Sequence, residues 1–311
     1  MIDVVALGEV LIDFNQEKIN SNGYPTLNAN PGGAPANFLT PISKYGLKTA
    51  MLAKVGNDSF GKMLIKTLKD VGINTKGIIK DDKCFTTLAF VTIDESGDRS
   101  FSFARKPGAD TMLRFEEVDL SLIDKAKVFH FGTLSLTNNP SRATTKKLVA
   151  YAKKKHKLIS FDPNLRKPLW NDLKDAKVAI EYGLKNADIV KISDDEVKFL
   201  YNIKTDKAIA YLLKKYPNIK LLYVTCGKDG VYYATKKYSG HIPSLQGIKI
   251  VDTTGAGDIF GGSAMYKLLI KKKDINNLSQ NDLIDIVSFA SKVAGLSTTK
   301  HGGISSVPDF N

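Results

Sequence analysis

Residues Asp252–Asp258 read DTTGAGD and run into IFGGSAMYKLLI, a stretch with the apolar spacing of a helix. Gly255, Ala256 and Gly257 therefore fall where a helix opens and its first backbone N–H groups lack partners. Such an opening binds phosphate through free N–H donors and the positive end of the helix dipole. Glycine at 255 and 257 lets the backbone approach a ligand without a Cβ in the way. Asp258 then projects from the first turn, beside the bound anion. A carboxylate would repel a phosphate that was merely stored, but it is well placed to take the proton of a hydroxyl attacking phosphorus. The helix dipole should keep it ionised, a weak base at rest. Phosphoryl transfer is loose enough that a late proton transfer suffices. The alternative is an Asp that only stabilises a helix start, which leaves Gly-Ala-Gly unexplained.

Two other glycine-bearing strings fail on chemistry. Gly56–Lys62 reads GNDSFGK, close to a P-loop, but Met63 follows where Ser or Thr should bind Mg²⁺. Gly56 and Gly61 then shape a strand-to-helix turn, with Asp58 or Ser59 capping the helix. Gly255-Ala256-Gly257 begins like a dinucleotide fingerprint, yet Phe260 stands at the third glycine and no further βαβ unit follows. Hydride transfer is disfavoured.

The elements that must position these residues are short apolar runs alternating with stretches of helical period, the pattern of an α/β fold with a largely parallel sheet. Strands are expected at Val4–Gly8, Thr49–Val55, Val128–Phe131, Leu158–Asp162, Ile189–Ile192 and Leu221–Thr225. Helices are expected at Ala36–Tyr45, Phe60–Val71, Ser141–Lys155, Asp194–Tyr201, Ala208–Lys215, Gly257–Ile270 and Asn281–Ser297. Phe85–Ile93 and Arg99–Arg105 break the alternation as β-rich runs joined by DESGD, a hairpin signal. Residues from about Leu11 to Ala29 are also extended in character. The two insertions could form a small sheet covering the transfer site, or an antiparallel extension at the sheet edge.

Composition narrows the class. No run of about 18 apolar residues occurs, so a membrane span is not expected. The N-terminal MIDVVALGEVLIDF reads as a buried strand, without a basic leader or cleavage site. Cys84 and Cys226 are the only cysteines, which offers no disulfide framework and suits the cytoplasm. The four histidines show no metal-ligand spacing. The net charge of +13 comes from 45 basic residues of which five are Arg, spread along the chain. Nucleic-acid readers use Arg forks with interleaved aromatics on one face, so solvated helix faces are the reading preferred here, with no nucleic-acid partner.

An N-terminal string, Gly32-Gly33-Ala34-Pro35-Ala36-Asn37 followed by Gly46 and Gly56, joins DTTGAGD in closely resembling the paired signatures of the ribokinase-like (PfkB-type) carbohydrate kinases. The resemblance runs from Val4 to about Pro308. Leu39 stands where a small residue is usual, a packing matter. The resemblance implies an αβα sandwich with a mostly parallel, Rossmann-like sheet, one kinase domain over residues 1–311, and a β-sheet lid from insertions at about 12–30 and 84–108. It makes Asp258 the general base, with Gly255, Ala256 and Gly257 as the anion hole. Asp13, Gly32, Gly33 and Asn37 grip sugar hydroxyls, Asp13 from the end of the first strand, where open α/β sheets bind ligands.

After Leu158–Phe161 comes DPNLR, typical of sugar-kinase relatives, in which Arg166 clamps substrate or transferring phosphate; a structural ion pair is its rival. Lys191-Ile192-Ser193-Asp194-Asp195-Glu196 resembles the family's Asn-x-x-Glu element, whose Glu orients Mg²⁺ through water. Ser193 replaces the Asn, which Mg²⁺ tolerates by keeping several waters. On the ATP side the resemblance places Lys191, Ser193, Glu196 and the turn Thr225, Gly227 and Gly230, with Ser291 and Gly302-Gly303 flanking the adenine. A monovalent cation, K⁺, would sit near Asp252 and Thr254.

FSFARKPGAD at Phe101–Asp110 and GGAPAN are close to strings carried by the fructokinases of this family, notably the bacterial ones. Arg105 would reach over the sugar, with a surface pair to a lid carboxylate as its alternative, and Ala104 replaces the aromatic usual before it. ATP-dependent phosphorylation of fructose at O6 is the activity implied. A 2-keto-3-deoxygluconate kinase, or another sugar or nucleoside kinase, is the alternative. An exposed lid could also pair with a second lid in a homodimer.

Overall fold

The computed structural model describes residues 1–93 and 99–309. Its strands, in chain order, are β1 (Ile2–Leu7), β2 (Leu11–Ile19), β3 (Pro25–Gly32), β4 (Thr49–Gly56), β5 (Asn74–Asp81), β6 (Leu88–Ile93) and β7 (Arg99–Ala104). They continue with β8 (Ala126–Gly132), β9 (Leu158–Asp162), β10 (Ile189–Ser193), β11 (Leu221–Thr225), β12 (Val231–Ala234) and β13 (Ser239–Ile242). Nine of them form one sheet in the order β13-β12-β11-β10-β9-β8-β1-β4-β5. Pairing is parallel from β11 to β5 and antiparallel at β11–β12 and β12–β13.

The sheet is buried on both faces because its strands are apolar throughout. Val5 and Leu7 of β1 enter one core with Phe129, Phe131 and Phe161. Val4 and Ala6 enter the other with Met51, Ala53 and Val128. Helices Ser141–Lys154 and Leu173–Asn186 cover the first face through Leu148, Val149, Ile180 and Leu184. Helices Ala34–Lys44, Ser59–Asp70, Ala256–Ile270 and Gln280–Ser297 cover the second. The result is a ribokinase-like αβα sandwich. Asp58 caps helix Ser59–Asp70 by accepting from Gly61 N at 2.8 Å, so the near-P-loop string is a strand-to-helix turn. Among the described residues no helix is long and apolar enough to cross a membrane.

The two insertions meet in a separate four-stranded sheet, β3-β2-β6-β7. β2 pairs antiparallel with β3 and parallel with β6, and β6 pairs antiparallel with β7. The DESGD turn between β6 and β7 lies outside the described residues. Phe14 stacks on Phe90 with centroids 5.2 Å apart and meets Phe60 edge-on at 5.6 Å, which ties the small sheet to helix Ser59–Asp70.

Two expectations are corrected. Asp13 does not end the first strand: β1 stops at Leu7, and Asp13 is the third residue of β2, in the small sheet. The strand expected from Phe85 begins at Leu88, because Thr86 is bound to the turn below it. Thr86 N donates to Asp58 Oδ2 at 2.8 Å and Thr86 Oγ1 accepts from Gly56 N at 3.0 Å.

Candidate active site

The loop after β9 and the carboxyl end of β10 meet the opening of helix Ala256–Ile270, through Asn164 and Lys191. Its N-cap, Gly255, has φ 74°, and a Cβ there would lie 2.9 Å from Asn37 Nδ2 and 3.0 Å from the Gly303 backbone. Glycine is required at this turn on both counts. Asp258 is buried in the first helical turn. Asn37 Nδ2 donates to its Oδ2 at 3.0 Å and Asn164 Nδ2 to its Oδ1 at 2.9 Å. Asn37 comes from helix Ala34–Lys44, whose N-cap, Gly33, has φ 114° and no space for a side chain beside the Glu9 carbonyl. Burial pushes Asp258 above the ordinary carboxylate range, against the pull of Lys191, the Asn37 amide and Arg166. The sequence argued for a carboxylate held ionised by the helix dipole; burial outweighs that effect and makes it a stronger base.

Behind Asp258 lies a buried charge cluster. Lys191 Nζ pairs with Asp162 at 3.0 and 3.2 Å, and it lies 3.0 Å from where a Cβ on Gly257 would be. Burial alone would lower Lys191, but the charges of Asp162, Glu196 and Asp258 raise it, so it stays cationic. Glu196 Oε1 accepts from Leu165 N at 2.7 Å and Oε2 from Ser193 N at 2.8 Å. With Ser193 Oγ accepting from Glu196 N at 3.2 Å, this is a capping box on helix Asp194–Tyr201.

A cleft of about 980 Å³ opens over this cluster, lined by Asp13, Asn37, Arg166, Lys191, Gly255 and Asp258 among others. Gly33, Ser193, Glu196, Thr254 and Gly257 also reach it. Asp13 faces Gly32, where any Cβ would collide with its carboxylate. Burial pushes Asp13 up to about 7, with Arg166 pulling down and Asp258 and Asp252 pushing up. Leu11, Asn15, Val91 and Phe103 of the small sheet wall the same cleft.

Other anticipated residues lie off the lining. Ala256 is inside the helix start. Thr225 is paired with Ser193 in register at the ends of β11 and β10, followed by Gly227 at φ 52° and Gly230 at φ 94°. Asp252 Oδ1 accepts from Thr254 N and Oγ1 at 2.9 and 2.7 Å, while Oδ2 accepts from Gly302 N at 3.0 Å. Gly303 abuts the Asn37 amide. Ser291 is buried in helix Gln280–Ser297.

Arg105 stands apart from the expectation that it reaches over the sugar. It is buried, its Nε and Nη2 donate to Asp110 Oδ2 at 2.9 and 2.6 Å, Nη1 to Thr137 Oγ1 at 2.9 Å, and Nη2 also to Leu134 O at 3.0 Å. This ion pair is neither on the surface nor on the cleft wall. Sequence reasoning missed Asn164, Asp162 and Glu9. Glu9 lines the cleft, accepts from Ala34 N at 2.9 Å, and is pushed up to about 7 by burial. Asp162 and Asn164 stand in the DPNLR string beside Arg166, so the same string carries their signal.

Fold and site together define a phosphotransferase of ribokinase-like architecture. The family profile described as pfkB family carbohydrate kinase matches residues 1–309, and the chain belongs to that family. It is 40% identical over 308 residues to fructokinase-2 of Solanum lycopersicum, covering 98% of this chain and 93% of the relative. The crystal structure of fructokinase with bound ATP from Xylella fastidiosa superposes with a TM-score of 0.90 at 28% identity, covering 99% of this chain and 96% of that one. Fructokinase from Vibrio cholerae O395, in a form with fructose, ADP and calcium bound, gives 0.88 at 29% identity and the same coverage.

Proposed function

We propose that this carbohydrate kinase is a fructokinase that transfers the γ-phosphoryl group of ATP to O6 of D-fructose. The observation that carries the reading is the hydrogen bond of Asn37 to Asp258, which brings the two signature segments together at one carboxylate inside the cleft. The sugar is assigned from the fructokinases that this chain resembles over its whole length.

In this reading Asp13 and Asn37 orient the sugar so that O6 faces both the anion hole and Asp258. The free N–H groups at Gly255–Gly257 hold the transferring phosphoryl, with the helix dipole adding to them. As the bond from O6 to γ-phosphorus forms and the bond from γ-phosphorus to the β,γ-bridging oxygen breaks, the O6 proton passes to Asp258. ADP leaves with the bridging oxygen. Lys191, beneath Gly257, and Arg166, on the cleft wall, offset the charge of the triphosphate. Leu11, Asn15, Val91 and Phe103 place the small sheet against the cleft, which supports its role as a lid that excludes water.

Mg²⁺ bound to ATP would bridge phosphate oxygens and neutralise their charge. Glu196 fits a role in holding it through water: both its oxygens already accept one backbone N–H and retain a second lone pair. K⁺ near Asp252 and Thr254 is tested by activity in K⁺ against Na⁺ salts. The small sheet ends on β3 and β7, and homodimerisation through it is tested by sedimentation.

The test of the function is a panel of fructose, 2-keto-3-deoxygluconate, ribose and adenosine assayed by coupled ADP release, with ³¹P NMR of the product. The reading expects the highest kcat/KM with fructose and a product phosphorylated at O6. Equal or better turnover of 2-keto-3-deoxygluconate, or phosphorylation at another oxygen, overturns it.

A further inference from the structure

The second amide on the base is held as carefully as the first. Asn164 Nδ2 donates to Asp258 Oδ1 at 2.9 Å, with both residues buried. Asn164 has φ 44°, in the left-handed region that Asn and Gly adopt most readily. Its backbone N donates to Asp162 Oδ1 at 3.2 Å, and the next amide, Leu165 N, to Glu196 Oε1 at 2.7 Å. Two buried carboxylates thus pin successive amides of the loop after β9. Asp162 also holds Lys191, whose ammonium lies beneath Gly257, the residue before Asp258. The contacts close a circuit: Asp258, Asn164, Asp162, Lys191 and back to the backbone at the helix opening.

We propose that Asn164 is a positioning residue for phosphoryl transfer: held in a left-handed turn by Asp162, its amide fixes the second oxygen of Asp258 and sets the plane in which that carboxylate meets the sugar hydroxyl. The proposal rests on the kinase reading above. A carboxylate turns easily about its terminal bond, which is broad and roughly two-fold. One donor, from Asn37, leaves that rotation open. A second donor on the opposite oxygen closes it, and each oxygen still keeps a lone pair for the incoming proton. Because both donors are neutral amides, they orient the base while lowering its pKa less than a direct ion pair would. Lys191 is kept one step away, on Asp162.

The competing role for Asn164 is to make the turn, and glycine would do that equally well. Asn164→Gly therefore separates the two. The charged groups facing Asp258 are Lys191 of β10, Asp162 at the end of β9, Arg166 in the loop after it, Glu196 in helix Asp194–Tyr201, and Asp13 of β2. The substitution changes none of them. Losing a donor to the charged form raises the pKa of the carboxylate.

The experiment measures kcat, both KM values and the pH dependence of kcat with fructose and MgATP for the parent, Asn164→Gly, Asn164→Asp and Asp258→Asn, with a thermal melt of each. Asn164→Gly is expected to lower kcat by at least about tenfold while both KM values stay within about threefold. The acid limb of its kcat profile should move to higher pH. A kcat within about threefold of the parent, or a loss with the acid limb unmoved, overturns the proposal. Asn164→Asp keeps the shape and the turn but sets a second acceptor against Asp258, so it should be slower than Asn164→Gly; a rate equal to the parent's overturns the proposal even if the glycine variant fails to fold. An active Asp258→Asn removes the base assignment on which this proposal rests, and a parent with no fructose-dependent ADP release removes the fructokinase reading; an inactive Asp258→Asn beside an unaffected Asn164→Gly overturns the positioning role alone.

Discussion

Asn37 donates a hydrogen bond of 3.0 Å to Asp258 across 221 positions of sequence. The contact joins the start of one helix to the start of another, and both starts are set by a glycine at positive φ, Gly33 and Gly255. Asn37 Oδ1 has no protein partner among the described residues, although it is buried. It packs against Gly303, where a Cβ would collide with it, so the amide is wedged with its Nδ2 turned to Asp258. Asn37→Ala should lower kcat by about 10²-fold and raise KM for fructose more than for ATP. Steady-state kinetics check this. A rise in KM for ATP alone would place Asn37 on the nucleotide side.

Gly255→Ala tests the anion hole. The added Cβ would press on Asn37 Nδ2 at 2.9 Å and on the Gly303 backbone at 3.0 Å, at a φ of 74°. Backbone on one side and a strained φ on the other leave little room to relax, so the opening must shift. A loss of about 10²-fold or more in kcat is expected, with melting temperature lowered only modestly. Parent-like turnover would show that the amides of this turn do not hold the phosphoryl.

Arg105 and Asp110 form an ion pair in which each side chain is 3% exposed. Removing one partner strands a buried charge, which costs about 3–5 kcal/mol. Arg105→Ala should therefore lower the melting temperature by on the order of 10 °C. If Arg105 instead grips sugar, KM for fructose would rise while the melt stayed unchanged.

Asp13 links stability to pH. Burial lifts its carboxyl from 3.8 to about 7, so the folded chain keeps a proton that the unfolded chain releases. Native-state proton binding then exceeds that of the unfolded state between these values, and stability falls as pH rises through the window. Asp13→Asn should melt higher than the parent at about pH 8, with the gap closing below about pH 4. A gap that is constant across pH would remove the linkage.

Much of this arrangement was legible in the residues. β9 and β11 begin and end where apolar runs meet turn residues, and Ser193 with Glu196 marks the start of helix Asp194–Tyr201 as a capping box. Helix Leu173–Asn186 was not anticipated because its buried face is largely small: Ala176, Ala179 and Gly183 carry little apolar signal, and Gly183 is small because it packs against Phe161. Strand β12 and the edge strand β13 are only four residues long each, too short for alternation to register. Asp13 lies beyond Gly8, where the expected first strand ends, and only the pairing of β2 with β3 and β6 shows that it stands in the second sheet. Residue type identifies Arg105 as a charge in need of a partner, but only its position just past β7, beside Asp110 and Thr137, decides which partner it takes.

Whether Asp258 takes the sugar's proton is decided most directly by the kcat of Asp258→Asn with fructose and MgATP, measured beside its affinity for ATP. The isosteric amide keeps shape and burial but cannot accept that proton. A fall in kcat of several orders of magnitude with nearly unchanged ATP affinity is predicted. Turnover within about tenfold of the parent would contradict the account.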